Sequence, residues 1–298
     1  MNDLPNLFIV GAPKCGTTSL ALSLSENYEI YLPKVKEPAY FAKEKIEGLG
    51  NRKRLFFPYK NFKDYKSLYS NKSKYKYRID ASVDYFDELS APERIKKQCD
   101  NAKIIILLRP HLQFLVSLHS EMIRSAGEDE LDFVKALNFT RKINKFARSK
   151  KDLDYFNRMQ FYKYTKKYID VFGKNNVFVA SLSSMNSTYF WDLLEIFLNI
   201  KIIRNIKNLN SSKKVIPNFY FKLQLLIRYL NFNKILSNDI KLKINSFVEK
   251  HFGRERKVDI FLSDLPKSYL DAIERDDKLL QSIGINLNDQ NIFKAKIF

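Results

Sequence analysis

Apolar and polar positions along this chain switch repeatedly between the two-residue period of a strand and the 3.6-residue period of a helix. Leu7-Phe8-Ile9-Val10 is a short apolar run ending at Gly11, and the leucines from Ser19 to Ser25 fall at helical spacing. Tyr28 to Leu32 reads as a short strand, Tyr59 to Tyr69 as a helix burying its aromatics, and Tyr75 to Asp80 as an alternating strand. Lys103 to Leu108 is a continuous apolar run, the pattern of a buried parallel strand, with Pro110 placed for the first turn of the next helix. Asp129 to Arg148 predicts a charged helical segment. Tyr155 to Phe172 predicts one helix with Phe156, Met159, Tyr162 and Ile169 in a buried stripe, closed by Gly173 and followed by a strand over Val177 to Ala180. Thr188 to Asn199 reads as an amphipathic helix, and further helical patterns cover 219–230, 240–251 and 269–280. This alternation predicts an α/β fold: three layers, with a central, mainly parallel sheet flanked by helices and extra helices towards the C-terminus.

The first strand and helix are joined by a loop with its own chemistry. Gly11-Ala12-Pro13-Lys14-Cys15-Gly16 carries two glycines and a lysine, and Thr17-Thr18-Ser19 opens the helix. A helix N-terminus offers unpaired N–H groups and a positive dipole, and glycines let the backbone close around an anion. The loop therefore predicts a phosphate ligand. It departs from a Walker A loop, because Gly16 is followed by Thr17 and the lysine stands earlier, at Lys14. Cys15 has a helix-terminus setting that lowers a thiol pKa, but a small loop-filling role suits it better than that of a nucleophile.

Two later stretches belong to the same end of the sheet. Pro33 and Pro38 disfavour helix, and the residue before each is pushed towards extended geometry, so Glu37 is expected in an extended segment soon after a strand. Arg109 ends the strongest strand, and Ser117 follows about two helical turns later, where both could face one anion.

Composition changes this picture little. The 298 residues, 45% of them hydrophobic, suffice for one large domain, with a core over about 1–200 and a helical part over about 201–298. The net charge of +19 comes from lysines dispersed among Asn, Tyr and Ile, which reads first as a solvated surface. No nucleic-acid partner is expected, and peripheral contact with an anionic membrane stays open. Two cysteines, Cys15 and Cys99, make no disulfide framework, and His111, His119 and His251 lack metal-ligand spacing, so no metal is expected. With no signal-peptide pattern and no run long enough to span a bilayer, a cytoplasmic location is the expectation.

Pro13-Lys14-Cys15-Gly16-Thr17-Thr18-Ser19-Leu20 resembles the 5′-phosphosulfate loop of sulfotransferases that use PAPS, 3′-phosphoadenosine 5′-phosphosulfate. Lys36-Glu37-Pro38-Ala39-Tyr40-Phe41 resembles the Lys-Glu-Pro-His-Phe-Phe segment of carbohydrate sulfotransferases of the heparan-sulfate and bacterial kind, whose glutamate is the catalytic base. The resemblance implies Glu37 and Lys14 as catalytic residues, and Lys14, Cys15, Gly16, Thr17, Thr18 and Ser19 as the 5′-phosphosulfate site. It assigns Arg109 and Ser117 to the 3′-phosphate. Ala39 replaces the family's histidine. Ala81-Ser82-Val83-Asp84-Tyr85-Phe86 is similar to a Gly-Glu-Lys-Ser-Pro-x-Tyr segment on the acceptor side, with Ala81 and Val83 departing from it. Lys36, Tyr40, Ser82 and Tyr85 are thereby implied as substrate contacts. Asn208-Leu209-Asn210-Ser211-Ser212-Lys213-Lys214 resembles an Asn-x-Ser-Lys-Lys-type loop that closes over the cofactor, implying Ser212, Lys213 and Lys214 as further PAPS contacts. The reaction implied is sulfuryl transfer from PAPS to an acceptor hydroxyl, carbohydrate by family, leaving PAP (3′-phosphoadenosine 5′-phosphate). The rivals are a P-loop kinase or NTPase and a basic nucleic-acid- or membrane-surface-binding protein without catalysis.

Overall fold

The computed structural model describes residues 3–35, 37–42, 59, 61–124, 127–138, 153–204, 247 and 260–287. Its strands are β1 (Leu7–Ile9), β2 (Ile30–Tyr31), β3 (Tyr77–Ala81), β4 (Lys103–Leu108) and β5 (Val177–Ser181). Its helices are α1 (Thr17–Leu24), α2 (Phe62–Ser67), α3 (Ala91–Gln98), α4 (His111–Arg124), α5 (Phe133–Ala136), α6 (Tyr155–Arg158), α7 (Phe161–Phe172), α8 (Thr188–Leu198) and α9 (Lys267–Ser282). The chain divides into two compact units: Met1–Phe114, Arg158–Leu209 and Ala272–Phe298 form one, and Leu115–Asn157 and Asn210–Asp271 the other.

The first unit holds the sheet. Its strands run in the order β2-β3-β1-β4-β5 and every pairing is parallel. Leu7, Phe8 and Ile9 of β1 and Ile104 to Leu108 of β4 are fully buried, as central strands covered on both faces must be. Helix α1 packs on β3, α7 on α3, β4 and β5, and α8 on β5. The chain leaves β1 towards β2 on one side and leaves β4 towards β5 on the other, so β1 and β4 flank the point where strand order reverses. In open α/β sheets, ligands bind beyond the carboxyl ends of such a pair.

The ladder between β1 and β4 continues past the strands into that region. Val10 N donates to the Ile105 carbonyl at 2.9 Å and Ala12 N to the Leu107 carbonyl at 3.0 Å. Gly11 is required by this approach: a Cβ there would lie 2.5 Å from both the Leu107 nitrogen and oxygen. The loop is thus pinned to the end of β4 before it turns into α1.

The helix expected over 155–172 is two helices. The chain breaks at Met159-Gln160, and α7 starts afresh where the Asp276 carboxylate accepts from Phe161 N at 3.0 Å and Tyr162 N at 3.1 Å. An acidic side chain at a helix start pairs orphan N–H groups and complements the dipole, but Asp276 is more than a hundred residues away, beyond the reach of local periodicity. The buried stripe shifts accordingly to Phe161, Tyr164, Thr165, Tyr168 and Phe172. Gly173 ends α7 with φ 79°, as the sequence suggests.

In the second unit, Glu128 is buried and accepts from Asp129 N, Glu130 N and the Tyr155 hydroxyl at 2.8, 2.9 and 2.9 Å. His119 Nε2 lies 2.8 Å from the Glu130 carbonyl oxygen, to which it donates. The charged segment expected over 129–148 is described only as far as 138, with α5 as its helix; 219–230 and 240–251, Phe247 apart, lie outside the described residues. No described helix is long and apolar enough to cross a membrane.

Candidate active site

The loop after β1 ends at Gly16, whose φ of 84° and ψ of 10° place it in the left-handed region as the N-cap of α1. Gly16 has no side chain to cap that helix, which leaves the first-turn N–H groups of Thr17, Thr18 and Ser19 for another acceptor. Thr18 and Ser19 are half-buried, and Thr17 is buried. Lys14 is half-buried with φ 66°, uncommon for a residue carrying a Cβ. Such strain, of order 1–3 kcal/mol, collects at ligand-binding loops.

Cys15 is wholly buried; its N–H donates to the Ala12 carbonyl at 3.2 Å and its Sγ lies 3.6 Å from the Pro13 carbonyl oxygen. Burial pushes its thiol pKa up to about 12, against the lowering influence of Arg109 and Lys14. Burial thus outweighs the helix terminus and disfavours a thiolate at Cys15, in keeping with a side chain that fills the turn.

Arg109 enters from the end of β4. Its Nη1 donates to the Lys14 carbonyl at 3.2 Å and its Nη2 to Gln113 Oε1 at 3.3 Å. Its Nε is buried without a hydrogen-bond partner among the described residues. Burial draws the guanidinium pKa below its ordinary value, with Cys15 acting the other way, yet arginine stays charged. A buried, cationic N–H without a partner is costly, and an anion would satisfy it.

Glu37 lies in the segment after β2. The proline rule predicts extended backbone there, but Glu37 has φ 52° and Ala39 φ 53°. Tertiary contacts impose this: Ala39 N donates to Ser82 Oγ at 3.0 Å and Phe41 N to the Tyr85 hydroxyl at 3.3 Å. Both hydroxyls donate onward to Asp80, at 2.6 and 2.9 Å, and Tyr65 donates to the same carboxylate at 2.7 Å. Tyr40, half-buried, stacks on Tyr65 with centroids 4.8 Å apart. Ser82 and Tyr85, singled out as acceptor contacts, are fully buried, with hydroxyls engaged in holding the Glu37 segment. Asp80 was not anticipated from the sequence at all. Its signal was a carboxylate at a strand's end with hydroxyl residues two and five positions on.

Lys36, Ser212, Lys213 and Lys214 lie outside the described residues, and Ser117 is a half-buried residue of α4 in the second unit. Among the described residues no group of His, Cys, Asp and Glu is placed to hold a metal ion.

The first unit thus combines a parallel sheet with a Gly-cornered anion loop at its switch point. A solved sulfotransferase from Alicyclobacillus acidocaldarius superposes on the chain with TM-score 0.59 at 21% identity, over 91% of this chain and 96% of that one. The fold is that of a sulfotransferase. Less close are the sulfotransferase domain of the Synechococcus PCC 7002 olefin synthase (TM-score 0.47, 14% identity, 92% and 94% covered) and that of the curacin biosynthetic pathway (0.46, 13%, 93% and 98%). No protein-family model and no curated protein sequence matches the chain.

Proposed function

We propose that this protein is a PAPS-dependent sulfotransferase acting on an acceptor hydroxyl, with carbohydrate as the acceptor class. The observation that carries this reading is Arg109: a half-buried guanidinium, bonded to the loop that carries Lys14, whose buried Nε has no hydrogen-bond partner among the described residues and suits an anion. The adjoining uncapped start of α1 provides a second anion position. Two such positions suit a nucleotide bearing separate 5′ and 3′ phosphate groups.

When bound, PAPS supplies the sulfuryl group for an in-line displacement. The N–H groups of Gly16 to Ser19, the hydroxyls of Thr18 and Ser19, and Lys14 would hold the 5′ group and stabilise charge on the departing phosphate. Arg109 would take the 3′-phosphate, its planar fork suiting phosphate oxygens. Glu37 would accept the proton of the acceptor hydroxyl as that oxygen attacks. Tyr40 would present an aromatic face to the acceptor.

A comparison of PAP with magnesium-ADP tests the donor assignment. PAP should raise the thermal midpoint of the wild-type protein and protect it against urea, whereas stabilisation by magnesium-ADP alone would favour a kinase or NTPase. Transfer of labelled sulfate from PAPS across a panel of glycans and small hydroxyl compounds then identifies the acceptor class.

A further inference from the structure

Asp80 has no part in the chemistry just described, yet it is among the most constrained side chains in the first unit. It is fully buried at the carboxyl end of β3, and among the described residues no Lys, Arg or His pairs with it. A lone buried carboxylate is costly unless it is fully hydrogen-bonded. Here three hydroxyls, those of Ser82, Tyr65 and Tyr85, donate to it. The other titratable groups that sense its charge are Tyr69, Cys99 and Tyr168.

The geometry points to Asp80 as a positioning residue for Glu37, acting through Ser82 and Tyr85 on the backbone of Ala39 and Phe41. A hydroxyl has one proton to give. By accepting that proton from Ser82 and from Tyr85, Asp80 turns their lone pairs towards Ala39 N–H and Phe41 N–H. Each relay runs amide to hydroxyl to carboxylate, and its members polarise one another. The two relays clamp the backbone at two and four residues beyond Glu37, within a segment where Glu37 and Ala39 both hold left-handed φ. Strain of this kind persists only where the surroundings over-determine it. Without the two relays the segment would relax and the Glu37 carboxylate would shift with it. This inference rests on the reading of Glu37 as the base.

The test uses the full chain with PAP as probe. Amide hydrogen exchange is followed on a fragment covering 37–42, with a β1 fragment as internal reference. Ser82→Ala, Tyr85→Phe and Asp80→Asn should each speed exchange of 37–42 by about tenfold, with β1 unchanged, and Ser82→Thr should restore protection. Unchanged exchange in Ser82→Ala, or wild-type exchange in Asp80→Asn, would overturn the proposal; Ser82→Ala and its threonine rescue decide the matter if Asp80→Asn does not fold. A merely structural role is separated by carboxyl-carbon NMR titration of Glu37, assigned with Glu37→Gln. Nearby phosphates should raise the Glu37 pKa when PAP is added to the wild type and to Ser82→Thr, and at least half of that rise should be lost in Ser82→Ala and Asp80→Asn. An equal rise in all variants defeats the positioning role. If PAP leaves the wild-type Glu37 pKa unmoved while exchange responds as stated, the base assignment falls and the backbone clamp stands.

Discussion

Arg109 Nη1 donates to the Lys14 carbonyl oxygen at 3.2 Å, tying the loop after β4 to the loop after β1. The two residues lie ninety-five positions apart in sequence and meet because β1 and β4 are neighbours in the sheet. One guanidinium thus steadies the loop after β1, while its buried Nε has no hydrogen-bond partner among the described residues.

That double use makes arginine hard to replace. Arg109→Lys keeps the charge but loses the planar fork, so the Lys14 carbonyl and the anion would compete for one ammonium. PAP affinity measured calorimetrically should fall about 10-fold in Arg109→Lys and about 100-fold in Arg109→Ala, with thermal stability little changed in the former. Equal affinities for all three proteins would remove Arg109 from the 3′-phosphate site.

Glu37 should divide binding from chemistry. Glu37→Gln preserves shape but cannot take a proton, so sulfate transfer should drop by at least about 100-fold while PAP affinity stays within about twofold. Full transfer by this variant would assign the base elsewhere.

Much of this arrangement was legible in the sequence, and the failures have physical causes. The strand, loop and helix at 7–24 and the strand leading to Arg109 are specified by local runs, although the need for Gly11 comes from the distant β4 backbone. The Lys14–Arg109 pairing follows from strand order and needed only the α/β pattern to be foreseen. By contrast, the conformation of Glu37 runs against its following proline because Ser82 and Tyr85 grip the next residues. Asp80 was overlooked because alternation in Tyr75 to Asp80 reads as a strand with one wet face. In a parallel sheet with both faces covered, Tyr77, Arg78, Ile79 and Asp80 are all buried.

The two glycines of the anion loop should differ in consequence. A Cβ on Gly11 meets β4 backbone at 2.5 Å, whereas one on Gly16 meets the movable Leu182 Cδ1 at 2.4 Å but requires a left-handed φ of 84°. Gly11→Ala should therefore cost on the order of 3 kcal/mol, and Gly16→Ala about 1–2 kcal/mol. Thermal midpoints should rank wild type, Gly16→Ala, Gly11→Ala from highest to lowest; the reverse order of the two variants would contradict the close approach of the loop to β4.

Two buried groups should each give up stability as pH rises, in separate pH windows. Burial pushes the Asp80 pKa up to about 6 from 3.8, against the lowering hydrogen bonds of Ser82, Tyr65 and Tyr85. The folded state then binds the proton more tightly than the unfolded chain, so stability falls as pH rises from about 4 to about 6, by about 3 kcal/mol from this one group. In Asp80→Asn that contribution is absent. The difference in unfolding free energy between wild type and variant should accordingly move against the wild type over this window. Burial would lower the His111 pKa, but hydrogen bonds and charge from Asp276, 2.9 Å from Nε2, and Asp277, 3.2 Å from Nδ1, overcome it and raise the pKa above 6.5. Its contribution is complete below 6.5 and is lost as pH climbs through the raised value. His111→Gln should flatten the stability profile above pH 6.5 and leave the lower window alone, while Asp80→Asn does the converse. Urea unfolding of the three proteins at half-unit intervals from pH 4 to 9 checks both, and a single shared window would refute the assignment of separate protons to Asp80 and His111.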